Sequence, residues 1–177
     1  FDSIGMALDM QIPLQVLQPC DHWQIDHPFG ADVPTDERNL IIKTALHLVP
    51  DLQPQHLQMA SKIPLARGLG SSSTAIVAGL VLANELTGAT RSSAELLEVA
   101  TQLEGHPDNV APALLGGLVV ATNTDERVRT VKLQLPMLFA SVYVPNEPLL
   151  TTASRQALPT ELAYHQAVTG SSVANTL

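Results

Sequence analysis

The run Ser-Ser-Ser-Thr-Ala-Ile-Val-Ala-Gly-Leu-Val-Leu-Ala-Asn-Glu-Leu, residues 71–86, constrains this chain more than any other. At helical spacing its apolar residues fall on nearly every side, so the helix belongs in an interior rather than on a surface. Gly88 follows as a stop signal. Wrapping such a helix takes several layers, and 177 residues with 45% hydrophobic content can supply them.

The surrounding segments read as strands and shorter helices in mixed order. Ile4, Met6, Leu8, Ile12, Leu14 and Val16 alternate at a strand period over residues 4–18, although Pro13 opposes an uninterrupted strand. A short strand is expected over 22–27, then a Pro/Gly/Asp loop from Pro28 to Pro34. Residues 36–49 predict a helix with Leu40, Ile41, Thr44, Ala45 and Leu48 on one face and Asp36 and Glu37 in its first turn. A strand over 56–63 ends at Pro64, and Ser92-x-x-Glu95 is a capping box opening a helix to about Leu103. Strands are expected at 118–122, 128–135 and 138–144, and helices at 151–158 and 161–168. The class is α+β, with one domain over residues 1–135 and a second beginning at 136.

The strongest chemical signal is Pro64-Leu65-Ala66-Arg67-Gly68-Leu69-Gly70-Ser71-Ser72-Ser73-Thr74. Two glycines let the main chain turn tightly and approach a ligand. The free N–H groups of the following helix, with its dipole, then suit a phosphate. Nine Lys and Arg against 17 Asp and Glu give a net charge of −8, so any anion must be held locally in this way. The same balance argues against a general nucleic-acid or anionic-membrane binder. The order of residues fits neither the P-loop nor the Gly-x-Ser-x-Gly nucleophile elbow. A glycine-rich connection with a serine N-cap and no ligand has the same local signature.

A second polar cluster, Glu104-Gly105-His106-Pro107-Asp108-Asn109, lies between two apolar segments. Glu104 suits Mg²⁺, which is often held by one or two carboxylates plus substrate phosphates. His106 and Asn109 suit hydrogen bonds to a small polar substrate. The alternative is a helix-terminating turn, with Gly105 at C′ and Asp108 or Asn109 capping the next helix.

Together, Phe1-Asp2-Ser3-x-Gly5-x-Ala7-Leu8, Pro64-x-x-x-Gly68-Leu69-Gly70-Ser71-Ser72 and Glu104-Gly-His-Pro-Asp-Asn109-Val-Ala-Pro resemble the GHMP kinase superfamily. The glycine-serine loop is common to galactokinases, mevalonate kinases and homoserine kinases, whereas the opening Phe-Asp-Ser and His-Pro-Asp-Asn-Val-Ala-Pro are similar to the homoserine kinases in particular. The likeness runs from Phe1 past Arg155. It implies a ribosomal protein S5 domain 2-like ATP-binding domain over 1–135 and part of a ferredoxin-like domain over 136–177. It also implies that ATP lies along Pro64, Leu65, Ala66, Arg67, Gly68, Leu69, Gly70, Ser71, Ser72, Ser73 and Thr74, with Mg²⁺ on Ser72 and Glu104. L-Homoserine would meet Asp2, His106, Asn109 and Arg155. Asp2 suits an α-ammonium and Arg155 an α-carboxylate.

The implied reaction is phosphoryl transfer from ATP to the homoserine hydroxyl in threonine biosynthesis. Asn109, Glu104 and Ser72 would be catalytic, Asp108 structural, and no side chain a dedicated base. A different GHMP small-molecule kinase, mevalonate kinase-like, is the rival enzyme; a non-catalytic nucleotide-binding module is the rival of another class. The family's Asn-x-Gly-Pro-Gly run before Phe1, its glycine-rich third motif and a second substrate-binding arginine are missing from these 177 residues. A fragment is therefore expected, weakly active or inactive alone.

The remaining signals are bland. Cys20, the single cysteine, excludes an internal disulfide framework. His22, His27, His47, His56 and His165 lack metal-ligand spacing. Trp23 and Phe29 flank the Pro/Gly loop and either pack or border a nucleotide base. No apolar run reaches membrane-spanning length and no signal peptide is visible, so a soluble cytoplasmic protein is expected, with a homodimer implied by the resemblance.

Overall fold

A computed structural model describes residues 3–124, 127–144, 159 and 161–174. The elements follow as β1 (Ser3–Met6), β2 (Leu14–Pro19), β3 (Gln24–Asp26), α1 (Leu40–Leu48), β4 (Gln55–Met59), α2 (Ser71–Leu86), α3 (Ser93–Glu104), α4 (Val110–Leu115), β5 (Leu118–Thr124), β6 (Arg127–Leu133) and α5 (Tyr164–Ala174). One sheet has the order β1-β5-β6, all antiparallel. The other has β4 in the middle, antiparallel to β2 and parallel to β3.

The apolar helix α2 is buried between two cores. Its Ile76, Val77 and Leu80 join Leu96, Leu97 and Ala100 of α3, Val110 and Ala111 of α4, and Val119 and Ala121 of β5. Leu82 and Ala83 instead join Trp23, Ile25, Leu57 and Met59 around the second sheet, with Ile41, Ile42 and Ala45 of α1. Two partners on different sides explain why no single apolar stripe is legible along α2.

α1 crosses α2 closely at Gly79. A methyl group there would collide with the Ile41 carbonyl oxygen and come within 2.8 Å of Thr44 Cβ. Gly→Ala inside a helix ordinarily stabilises by about 1 kcal/mol. Here the sign reverses: Gly79→Ala should cost about 1–3 kcal/mol through overpacking, read as a lowered midpoint in urea.

Several boundaries differ from the sequence expectation. The alternating run over 4–18 is two strands in different sheets, separated by residues 7–13. Pro13 lies at the start of the new direction, where its carbonyl accepts from Ala60 N–H. The helix expected at 36–49 begins only at Leu40 because Asn39 caps it, its side chain accepting from Ile41 N–H at 3.0 Å while donating to Pro34 O at 2.8 Å. Asp36 therefore stands outside the first turn, in a forked pair with Arg38 that holds its carboxyl down at about 2. The strand expected over 56–63 ends at Met59. No strand forms at 138–144, where Leu138, Phe139 and Tyr143 are exposed, and the helix expected over 161–168 runs instead from Tyr164 to Ala174. The helix expected at 151–158 lies outside the described residues.

α3 opens as its sequence requires. Ser92 Oγ accepts from Glu95 N–H, and both the Ser92 hydroxyl (2.7 Å) and its backbone N–H (2.8 Å) donate to Glu95 Oε2. The hydroxyl above all lowers the Glu95 carboxyl below its ordinary value. A carboxyl depressed in the folded state contributes stability above its unfolded pKa and loses that contribution as pH falls through the folded one. Ser92→Ala should return Glu95 toward the ordinary carboxylate value in an NMR titration, and stability should then fall off less steeply in acid.

Candidate functional site

The N-terminus of α2 is bare by construction. Its N-cap is Gly70, not a serine, so no side chain caps it. Gly68 and Gly70 both take left-handed backbone, at φ +73° and +67°, which turns the chain into the helix. The first intrahelical bond is Thr74 N–H to Gly70 O at 2.9 Å. The N–H groups of Ser71, Ser72 and Ser73 thus have no intrahelical acceptor, at the positive end of a 16-residue helix.

The serine hydroxyls reach across to the end of α3. Ser73 Oγ donates to Glu104 Oε1 at 3.0 Å, and Ser72 Oγ donates to Glu104 Oε2 at 3.3 Å. Ser73 is buried and Ser72 is exposed. Among the described residues no cluster of three or more His, Cys, Asp or Glu is placed to hold a metal ion. A cation here would have one carboxylate and a hydroxyl from the protein and take its other oxygens from elsewhere, which fits Mg²⁺ bound with a nucleotide.

Gly105 ends α3 with φ +87°, and the chain turns through the second polar cluster. His106 is buried, its Nδ1 paired with the Asp108 carboxylate, which also accepts from Asn109 N–H at 3.1 Å. Asn109 occupies the N-cap position of α4 but its side chain makes no capping bond. That side chain stands beside Gly70, with Oδ1 3.6 Å from where a Gly70 methyl group would be. The turn thus has the helix stop expected at Gly105, but Asn109 does not cap α4 with its side chain and holds its amide beside the glycine loop instead.

Grooves flank the loop on both sides. One of about 640 Å³ is lined by Gly68, Gly70 and Asn109 together with Met6, Leu8 and Met10. The other, about 280 Å³, is lined by Phe29, Val33, Pro34 and Leu65 with Ser71 and Ser72. Phe29 therefore faces a cavity at the helix N-terminus, whereas Trp23 is 2% exposed and packs in the core. Asn39 and Arg38, which share the smaller groove, escaped the sequence reading: four separate chain segments meet there and no spacing announces it. Asp2 and Arg155 lie outside the described residues.

Residues 39–117, from the cap of α1 through the loop to the glycines after α4, match the family model described as GHMP kinases N terminal domain. Over that stretch the chain is similar to the N-terminal domain of GHMP kinases. It is 96% identical over all 177 residues to homoserine kinase of Lactiplantibacillus plantarum, and 50% identical over 175 residues to homoserine kinase of Streptococcus thermophilus. The chain spans about 61% of the length of either relative. Among solved structures, a Listeria monocytogenes protein assigned as a homoserine kinase aligns at TM-score 0.84 and 41% identity, over 99% of this chain and 60% of that one. Homoserine kinase of Cytophaga hutchinsonii aligns at TM-score 0.71 and 31% identity, over 95% and 58%.

The turn at 105–109 is set against β1 by Gly5. A methyl group on Gly5 would collide with the Asp108 carbonyl oxygen and approach Pro112 Cγ to 2.7 Å. Gly5→Ala should push the turn away from the glycine loop, costing about 1–3 kcal/mol of stability. The check is a urea titration together with an Asn109 amide shift in the NMR spectrum.

Proposed function

We propose that this chain provides the nucleotide site and most of the acceptor site of an enzyme that phosphorylates L-homoserine with ATP, giving O-phospho-L-homoserine. The observation that carries the reading is the junction of three separated segments: bare N–H groups at the start of α2, the Glu104 carboxylate, and the uncommitted Asn109 amide beside Gly70. The 96% identity to a homoserine kinase supports the choice of acceptor.

In this reading the phosphates of ATP lie on the main chain of residues 68–74, and the adenine base enters the smaller groove against Phe29. Ser72 and Glu104 would hold Mg²⁺, which supplies charge neutralisation at the phosphates. Asn109 orients the attacking hydroxyl, and Asp108, paired with the buried His106, accepts from the Asn109 N–H and keeps Asn109 in place. Asp2 and Arg155 meet the ammonium and carboxylate of the amino acid. Catalysis is then positioning and electrostatics, with the hydroxyl proton passing to a phosphate oxygen rather than to a side-chain base. The same resemblance supports a cytoplasmic homodimer with no nucleic-acid or membrane partner; no helix among the described residues is long and apolar enough to cross a membrane.

The test offers the full-length protein Mg·ATP with L-homoserine, mevalonate, galactose or L-threonine and identifies the product by mass. O-Phosphohomoserine is expected. A phosphorylated product from a different acceptor alone would replace the acceptor site proposed here. Glu104→Gln should lower kcat by about 10²-fold or more, the scale for removing one electrostatic element from a transition state, with an unchanged circular dichroism spectrum. A nucleotide-binding module without turnover would instead yield no product from any acceptor.

A further inference from the structure

Glu104 occupies an electrostatically poor position. It is the last residue of α3, where the partial negative charge of the helix end disfavours a carboxylate, and no basic residue lies in that last turn. What holds it are the two hydroxyls from the opposite, positive end of α2. The two bonds are not equivalent. Ser73 is 1% exposed and donates to Oε1, whereas Ser72 is exposed and donates to Oε2. One carboxylate oxygen is thereby tied into the protein interior, and the other is presented with Ser72 at the surface beside the bare helix N-terminus.

We propose that Ser73 is a positioning residue for the cation site: its buried hydroxyl fixes the rotamer of Glu104 so that Oε2, together with Ser72 Oγ, faces the nucleotide's metal ion. This rests on the reading of Ser72 and Glu104 as cation ligands given above. It assigns Ser73 a task distinct from phosphate contact, because its hydroxyl is committed away from the loop surface. A hydrogen bond that orients a metal ligand is typically worth about 10–100-fold in metal affinity.

The experiment measures Mn²⁺ affinity by electron paramagnetic resonance in the presence of a non-hydrolysable ATP analogue, with thermal melting recorded alongside. Ser73→Ala removes the donor, and Ser73→Cys keeps the volume while leaving only a weak donor. Both should weaken Mn²⁺ binding about tenfold or more, with cooperative melting retained. If Ser73 matters only for packing, Ser73→Cys will bind Mn²⁺ as the parent does, which overturns the proposal. Unchanged affinity in both variants overturns it too. Glu104→Gln separates the two levels: a loss of Mn²⁺ affinity there without a loss in the Ser73 variants removes the positioning role alone. Unchanged affinity in Glu104→Gln removes the cation site and the proposal with it.

Discussion

Everything in this domain is arranged around a helix whose body is largely buried. α2 sends Ile76, Val77 and Leu80 into one core and Leu82 and Ala83 into the other, and each large side chain so buried contributes about 1.5–3 kcal/mol. The body of the helix packs against α1, α3 and α4, and its N-terminus opens toward the grooves beside the glycine loop. A helix end whose N–H groups are unpaired needs either water or a ligand, and the glycine loop before it is too bare to interfere. Burial of the helix and exposure of its start are one design, in which a rigid core aims a fixed row of donors outward.

The electrostatics follow from the same arrangement. A chain with a net charge of −8 repels an anion at long range, so attraction has to come from oriented backbone at short range. The meeting of the α2 start with the α3 end places opposite helix poles together across the serine–glutamate contacts. A lone carboxylate beside a phosphate site would oppose binding. The proposed cation resolves that conflict, and it gives a reason for a glutamate to stand where the helix dipole disfavours it. Local rules broken without a packing reward tend to mark functional sites.

Much of this was legible in the order of residues. The bounds of α2, the capping box at Ser92, the stop at Gly105 and the paired motifs around Gly70 and Asn109 all depend on interactions within a few positions. The misses share a cause. Asp36 and Glu37 look like good first-turn residues, but Asn39 reaches back to Pro34 O and sets the cap three positions later. Alternation over residues 4–18 is real, yet its two halves pair with β5 and β4 in different sheets. Apolar residues at 138–144 carry strand propensity, but a strand needs a neighbour to pair with, and none of the described strands takes that segment up.

By itself, then, the sequence determined that a buried helix opens from a glycine loop, that a carboxylate and an amide share one polar turn, and which family the motifs resemble. Local propensity and residue spacing suffice for that, since caps, turns and helix periods are short-range. Only the tertiary structure decided that Ser73 turns inward while Ser72 stays at the surface, and that Asn109 stands against Gly70 instead of capping its own helix. It also brought Phe29 to the open groove and sent Trp23 into the core. Those outcomes depend on which faces of distant segments pack together, and adjacency across more than 30 residues leaves no periodic trace in the chain.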